Sequence, residues 1–313
     1  MFKRNNKFVY GSSQTIDSNS VPLYSPHPFT NWSLNPHYKI EKEFQHTCEG
    51  FRRVDDSLSI RTNWNHNDFS VYAMGGSTTY CTELESYKYT WPSILNKKLG
   101  LTVCNAGVGG WGSLQSFIRF SVWGPILKPK LTLVYLSKND LTPFHNGRKE
   151  EEIVHPLYEN IMLQMSSKIK STTKNTDLSS LYTTQSNRLF SLYAIQDNRS
   201  SDGLSRFTEE HLLTTQARFQ IISDLAKQWN GRILFIPEII KKDSIYFTKM
   251  QQIHKIMEEV DSNNSNTDFY DLRKVLDYRK EYFLDKMHFN EKGCQIFAEL
   301  LGNHINNQYV KNK

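Results

Sequence analysis

Four chemically useful groups stand far apart in this sequence. Ser77 follows two glycines in "MGGSTTY", Asn139 lies in "SKNDL", and Asp285 and His288 share "FLDKMHFNEKG". A serine hydroxyl is a weak nucleophile until a neighbouring imidazole accepts its proton, and His288 is the candidate base. Asp285 stands three residues before it, so one helical turn or a tight loop would let both side chains project the same way. Its carboxylate would hold the ring N–H, fix the tautomer and stabilise the imidazolium. The negative oxygen formed on an attacked acyl carbon needs donors already in place. The N–H of Ser77, the N–H of Gly110 and the side-chain amide of Asn139 are the candidates for that oxyanion hole.

Each residue also has a plainer reading. Ser77 could cap a helix, His288 could be a surface residue, and Asn139 could cap the turn that follows it. The segment "CNAGVGGWGSLQ" holds Gly107, Gly109 and Gly112 in the spacing G-x-G-x-x-G, which after a strand and before a helix can cradle a dinucleotide pyrophosphate. Against that use, the fingerprint belongs after the first strand of its fold and here follows the second. No acidic residue clearly closes the next strand, as ribose binding would require. Trp111 and His145 fall near the site in this reading, as pocket lining or as aromatic packing.

The elements that must position these groups are legible from periodicity. Short apolar runs at 69–74, 101–105, 131–136, 232–237 and 268–271 read as strands, alternating with amphipathic helical stretches such as "WPSILNKKLG" and "TTQARFQIISDLAKQW". Pro92 and Gly100 mark the two ends of the first of these helices. Such alternation implies a parallel sheet covered on both faces, with its site where the carboxyl ends of the strands meet. Residues 1–68, rich in Asn, Ser, Pro and His, read as an irregular extension packed on a core. Residues 69–313 form the main domain, interrupted at about 146–215 by a polar insertion.

Bulk properties bound the alternatives. Of 313 residues, 38% are apolar, enough for a substantial core, and the net charge of +6 comes from scattered basic residues. Nucleic-acid binding, which needs a basic patch on one face, is therefore disfavoured. No apolar stretch approaches the ~20 residues of a membrane span, and the polar N-terminus lacks a secretory h-region, so the expected location is cytoplasmic. The four cysteines form no C-x-x-C pair and read as free thiols. His46, His254 and His304 have no partners at ligand spacing and there is no H-E-x-x-H, so neither a metal site nor a cofactor is expected.

Taken in order, "MGGSTTY", "NAGVGGWGS", "LSKND" and "DKMHFNEKG" resemble the four blocks of the SGNH (GDSL-type) hydrolases, which contribute Ser, Gly, Asn and His in turn. The first block has the G-G-S-T-T form of many bacterial members. The similarity covers about residues 69–145 and 216–313. It implies a flavodoxin-like three-layer α/β sandwich with a five-stranded parallel sheet. It also implies a serine esterase acting through Ser77, His288 and Asp285, with Ser77, Gly110 and Asn139 as oxyanion donors. By family habit the first-choice substrate is an O-acyl ester, particularly O-acetyl, of a carbohydrate or small metabolite. The alternatives are an O-acyltransferase with the same triad and an inactive binding protein of the same fold. Two departures stand out: Thr78 replaces the aspartate of the GDS form, a replacement frequent in the G-G-S-T subset, and Ser137 stands where the third block usually has glycine.

Overall fold

Within the stretch read as irregular, the described residues include a hairpin. The computed structural model describes residues 21–145 and 207–311, except 22, 28, 67 and 277, together with Leu204. In it β1 (Tyr24–His27) pairs antiparallel with β2 (Asn31–Leu34), and the two-residue strands β3 (Lys39–Ile40) and β4 (Glu43–Phe44) pair likewise. Asn31 takes a left-handed φ of 66° where the turn meets β2, a conformation that asparagine tolerates better than most residues. Pro26 lies inside β1 and cannot donate to the ladder, so the sequence pattern of the hairpin is weak. After the one-turn α1 (Ile60–Asn63) the chain enters the sheet.

The sheet consists of β5 (Ser70–Gly75), β6 (Thr102–Asn105), β7 (Leu131–Tyr135), β8 (Arg232–Phe235) and β9 (Thr267–Phe269). Every residue of β5 and β7 is buried, as strands covered on both faces require. The spatial order is β6-β5-β7-β8-β9 with all pairs parallel. The first strand of the sheet therefore lies between the second and third, the flavodoxin-like arrangement, and the direction of winding reverses between β5 and β7. Side chains alternate between two cores. Tyr72, Met74, Val134, Ile233 and Phe235 enter one, Val71, Ala73, Leu131, Leu133 and Leu234 the other.

After β5 comes α2 (Ser77–Tyr80), a single turn, and α3 (Trp91–Leu99) follows it. Thr90 caps α3 by accepting from Ser93 N, and Gly100 ends it at φ 62°. α4 (Ser113–Leu127) runs past the end of its apolar signal, with Pro125 in its last turn, and α5 (Lys138–His145) follows β7. α6 (Glu209–Lys227) begins five residues before the expected helical stretch. Of the proposed insertion, residues 146–203, 205 and 206 lie outside the described part of the chain. α7 (Phe247–Ser262) and α8 (Glu291–Ile305) complete the order, and Asn290 caps α8 by accepting from Gly293 N. Helices α4, α6 and α7 cover one face of the sheet, α3 and α8 the other. No helix among the described residues is long and apolar enough to cross a membrane.

Candidate active site

The turn after β5 is too crowded for side chains. A Cβ on Gly75 would come within 2.3 Å of the Tyr135 carbonyl oxygen, and one on Gly76 within 2.4 Å of the Asn139 amide nitrogen. Two glycines there let β5 run directly into α2, with Ser77 as its first residue. Ser77 is 8% exposed, and its backbone N–H, at the start of a helix, has no intrahelical acceptor to bond.

The Asp285–His288 segment folds into a tight loop between β9 and α8. Asp285 Oδ1 accepts from the N–H groups of Met287 at 2.7 Å and His288 at 2.8 Å, closing an Asx-type turn. Leu284 N donates back to the His288 carbonyl at 2.8 Å. The other carboxylate oxygen, Oδ2, lies 2.6 Å from His288 Nδ1, and His288 Nε2 lies 2.8 Å from Ser77 Oγ. Burial pushes the Asp285 carboxyl up, but the hydrogen bond and charge of His288 and the two backbone donors outweigh it and hold it at about 2. The carboxylate can only accept, so Nδ1 carries the ring hydrogen and Nε2 is left to accept from the serine hydroxyl. Two residues 211 apart in sequence are thus in contact.

One candidate oxyanion donor, the Asn139 side chain, lies beside the serine turn. Asn139 follows the end of β7, and its side-chain amide packs on Gly76 and donates to the Trp111 carbonyl at 3.0 Å. Its amide nitrogen has a second hydrogen to offer. Gly110, one residue before Trp111, adopts φ 82°, a left-handed conformation that favours glycine and turns its peptide in the loop. The loop is not shaped to receive a dinucleotide, because Gly107 and Gly112 face protein. A Cβ on Gly107 would meet Tyr80 N at 2.4 Å, and one on Gly112 would meet the Asp140 carboxylate at 2.8 Å. These glycines permit close packing against α2 and α5. Asp140 accepts from both the N–H and the hydroxyl of Ser113, fixing the start of α4.

The hairpin supports that loop from outside. Trp32 is fully buried and donates its indole N–H to the Gly109 carbonyl at 3.1 Å. Tyr24, Trp32 and Leu34 pack with Tyr80, Val108 and Trp111, so the Trp111 ring belongs to a packed cluster. His46 is buried against Tyr80 Oη at 3.0 Å, and His304 stacks on Tyr270 with ring centroids 3.9 Å apart. The side chain of His145 lies outside the described part of the structure.

Three participants carried no sequence signal. Glu83, half-buried, has its carboxylate within 4.8 Å of ligand atoms of Asp285 and His288. Burial raises its carboxyl above the usual range, the charge of His288 lowers it, and that of Asp285 raises it. These three groups are close enough to hold a divalent ion, but the ring nitrogens of His288 already face Ser77 and Asp285. An ion there would compete with those hydrogen bonds. The other two are Glu238 and His254, which lie behind the turn and bond to Thr78 and Ser137.

The chain matches the GDSL-like lipase/acylhydrolase family over residues 71–301. No match is found among curated protein sequences. Among solved structures, the chain is similar to a G-D-S-L-family protein from Desulfitobacterium hafniense DCB-2, at 12% identity and a TM-score of 0.49, covering 75% of this chain and 99% of that one. It is also similar to an acetylxylan esterase from Geobacillus stearothermophilus, solved as a catalytic mutant (14%, TM-score 0.47, 79% and 98% covered). A third is the lipase/acylhydrolase from Enterococcus faecalis (12%, TM-score 0.46, 76% and 96% covered). The family match spans well over half of the sequence and contains the serine turn, the glycine loop, the asparagine and the aspartate–histidine loop, so the chain belongs to the GDSL-like lipase/acylhydrolase family and is a hydrolase of ester bonds.

Proposed function

We propose that the protein cleaves O-acyl esters through an acyl-enzyme on Ser77, with His288 as base and Asp285 as its orienting carboxylate. The observation that carries this reading is the continuous run from Ser77 Oγ through the His288 ring to Asp285, at 2.8 and 2.6 Å. His288 Nε2 takes the hydroxyl proton as Oγ attacks the acyl carbon, and Asp285 steadies the imidazolium. The N–H groups of Ser77 and Gly110 and the amide of Asn139 receive the developing negative oxygen. The imidazolium then protonates the departing alcohol. Water, activated by the same ring, releases the acid and restores the serine.

The preferred substrate is an O-acetyl ester of a carbohydrate or small metabolite. The family acts on acyl esters, and acetylated sugars are the first members of that class to test. The test couples two measurements on the full chain. Fluorophosphonate should label the wild-type protein and fail to label Ser77→Ala. A panel of acetylated sugars and generic esters, read by product mass, should show free acid in water. Absence of labelling in folded wild-type protein would reject the serine mechanism. Transfer of the acyl group to a sugar hydroxyl in preference to water would make the protein an acyltransferase.

A further inference from the structure

The two residues that depart from the family pattern end on one carboxylate. Glu238 lies three residues beyond β8 and is 3% exposed. Its Oε1 accepts from Thr78 Oγ1 at 2.6 Å. Its Oε2 accepts from Ser137 Oγ at 3.0 Å and from the backbone N–H of Lys138 at 2.8 Å. Thr78 adjoins Ser77, and Lys138 adjoins Asn139. One buried side chain therefore grips both the turn carrying the nucleophile and the loop carrying the side-chain oxyanion donor.

The hydrogens of this cluster can be assigned by elimination. Arg273 Nη1 lies 2.7 Å from His254 Nδ1 and can only donate, so Nδ1 accepts. Burial first, and the Arg273 charge second, bring His254 down to about 3, so the ring is neutral and its one hydrogen sits on Nε2. Nε2 lies 3.1 Å from Ser137 Oγ and donates to it. Ser137 is then free to give its own hydrogen to Glu238. The run from Arg273 through His254 and Ser137 thus points every hydrogen toward the carboxylate, which also receives Thr78 and Lys138. Arg273 is itself held by Asp271 at 2.7 Å.

We propose that Glu238 is a positioning residue that clasps the serine turn to the oxyanion loop, holding Ser77 and Asn139 in register. The inference rests on the serine mechanism above. It explains how threonine and serine occupy positions where the family pattern has aspartate and glycine.

The test uses the full chain with active sites titrated by fluorophosphonate, so that unfolded or dead molecules drop out of the rate. Glu238→Leu removes all three hydrogen bonds. It should lower kcat per labelled site by about 100-fold, the scale of one misplaced oxyanion donor. KM for p-nitrophenyl acetate should stay unchanged, and binding of an alkyl boronic acid, which forms a tetrahedral adduct, should weaken in proportion to kcat. Glu238→Gln should stay within about threefold of wild type. Its amide oxygen can take the two donors at Oε2 while its NH2 donates to Thr78 Oγ1, which can accept instead.

Should Glu238→Leu not fold, Thr78→Val and Ser137→Ala carry the test, because acting through one carboxylate makes their combined loss smaller than the product of the single losses. An unchanged kcat per labelled site with only the melting temperature lowered would overturn the inference. So would a loss expressed in KM alone, or a glutamine variant as poor as the leucine. Failure of the wild type to label at all would instead sink the serine mechanism and this inference with it.

Discussion

Ser77 and Thr78 are neighbours in the chain, yet their side chains enter hydrogen-bonded runs of opposite character. From Ser77 the run passes through His288 to Asp285, whose side chain is 44% exposed. From Thr78 it passes inward through Glu238, Ser137 and His254, all buried. In the proposed mechanism the outer run meets substrate and water, so it cannot be sealed, and it is held by one self-contained turn around Asp285. The inner run is buried, so each of its groups needs a partner. On this reading one side of the turn serves reactivity, the other placement.

The comparison can be broken most directly at His288. His288→Ala should abolish turnover of p-nitrophenyl acetate, by about 10⁴-fold or more, while leaving the melting temperature nearly unchanged. Retained turnover would remove the ring from the chemistry. Asn139→Ala comes next, with kcat down by about 10²- to 10³-fold and KM little altered. A change confined to KM would place the amide on substrate rather than on the oxyanion.

The inner run should answer differently. His254→Gln should cost about 1–3 kcal/mol in urea unfolding at pH 8, because Arg273 and Ser137 lose a well-placed partner, with a smaller loss of kcat than the Asn139 variant. Its pH dependence is a sharper test. His46 and His254 are both held at about 3, first by burial and then by nearby arginine charges, against the raising pull of the Asn35 backbone hydrogen bond on His46 and of the Asp271 charge on His254. Both rings are neutral in the fold and take a proton near pH 6.5 once the chain unfolds. Their depressed values mean stability is whole above about pH 6.5 and declines as pH falls toward about 3, by about 1.4 kcal/mol per unit for each ring. Removing His254 should flatten that decline. An identical slope in the variant would show that the ring is already protonated in the fold.

The smallest effect is expected at Glu83. Its carboxylate is a negative neighbour of the His288–Asp285 pair. Glu83→Gln should therefore shift the acid limb of the kcat/KM profile to lower pH, with the plateau rate nearly kept. A limb that stays in place would mean that solvent screens Glu83 from the ring.

How much could be read in advance follows the same division. The strands at 131–135 and 232–235 were visible because parallel strands buried on both faces are continuous apolar runs. Asp285 and His288 were visible as a pair because three residues fit one turn. The hairpin at 24–34 was not, since prolines blur its alternation and its partner, the Gly109 carbonyl, is 77 residues from Trp32. Glu238 was one of 32 acidic residues, and nothing local distinguished it. Its partners Thr78 and Ser137 lie 160 and 101 residues away.

By itself, then, the sequence determined the alternation of strands and helices and which residues stand at the strand ends. These depend on periodicity and on contacts within a few residues, which the chain writes locally. Only the tertiary structure decided that Ser77 meets His288, that Trp32 backs the glycine loop, and that Thr78 and Ser137 share Glu238. Those contacts exist because the parallel sheet brings the carboxyl ends of distant strands to one edge, where a buried donor must find an acceptor from whichever segment lies beside it.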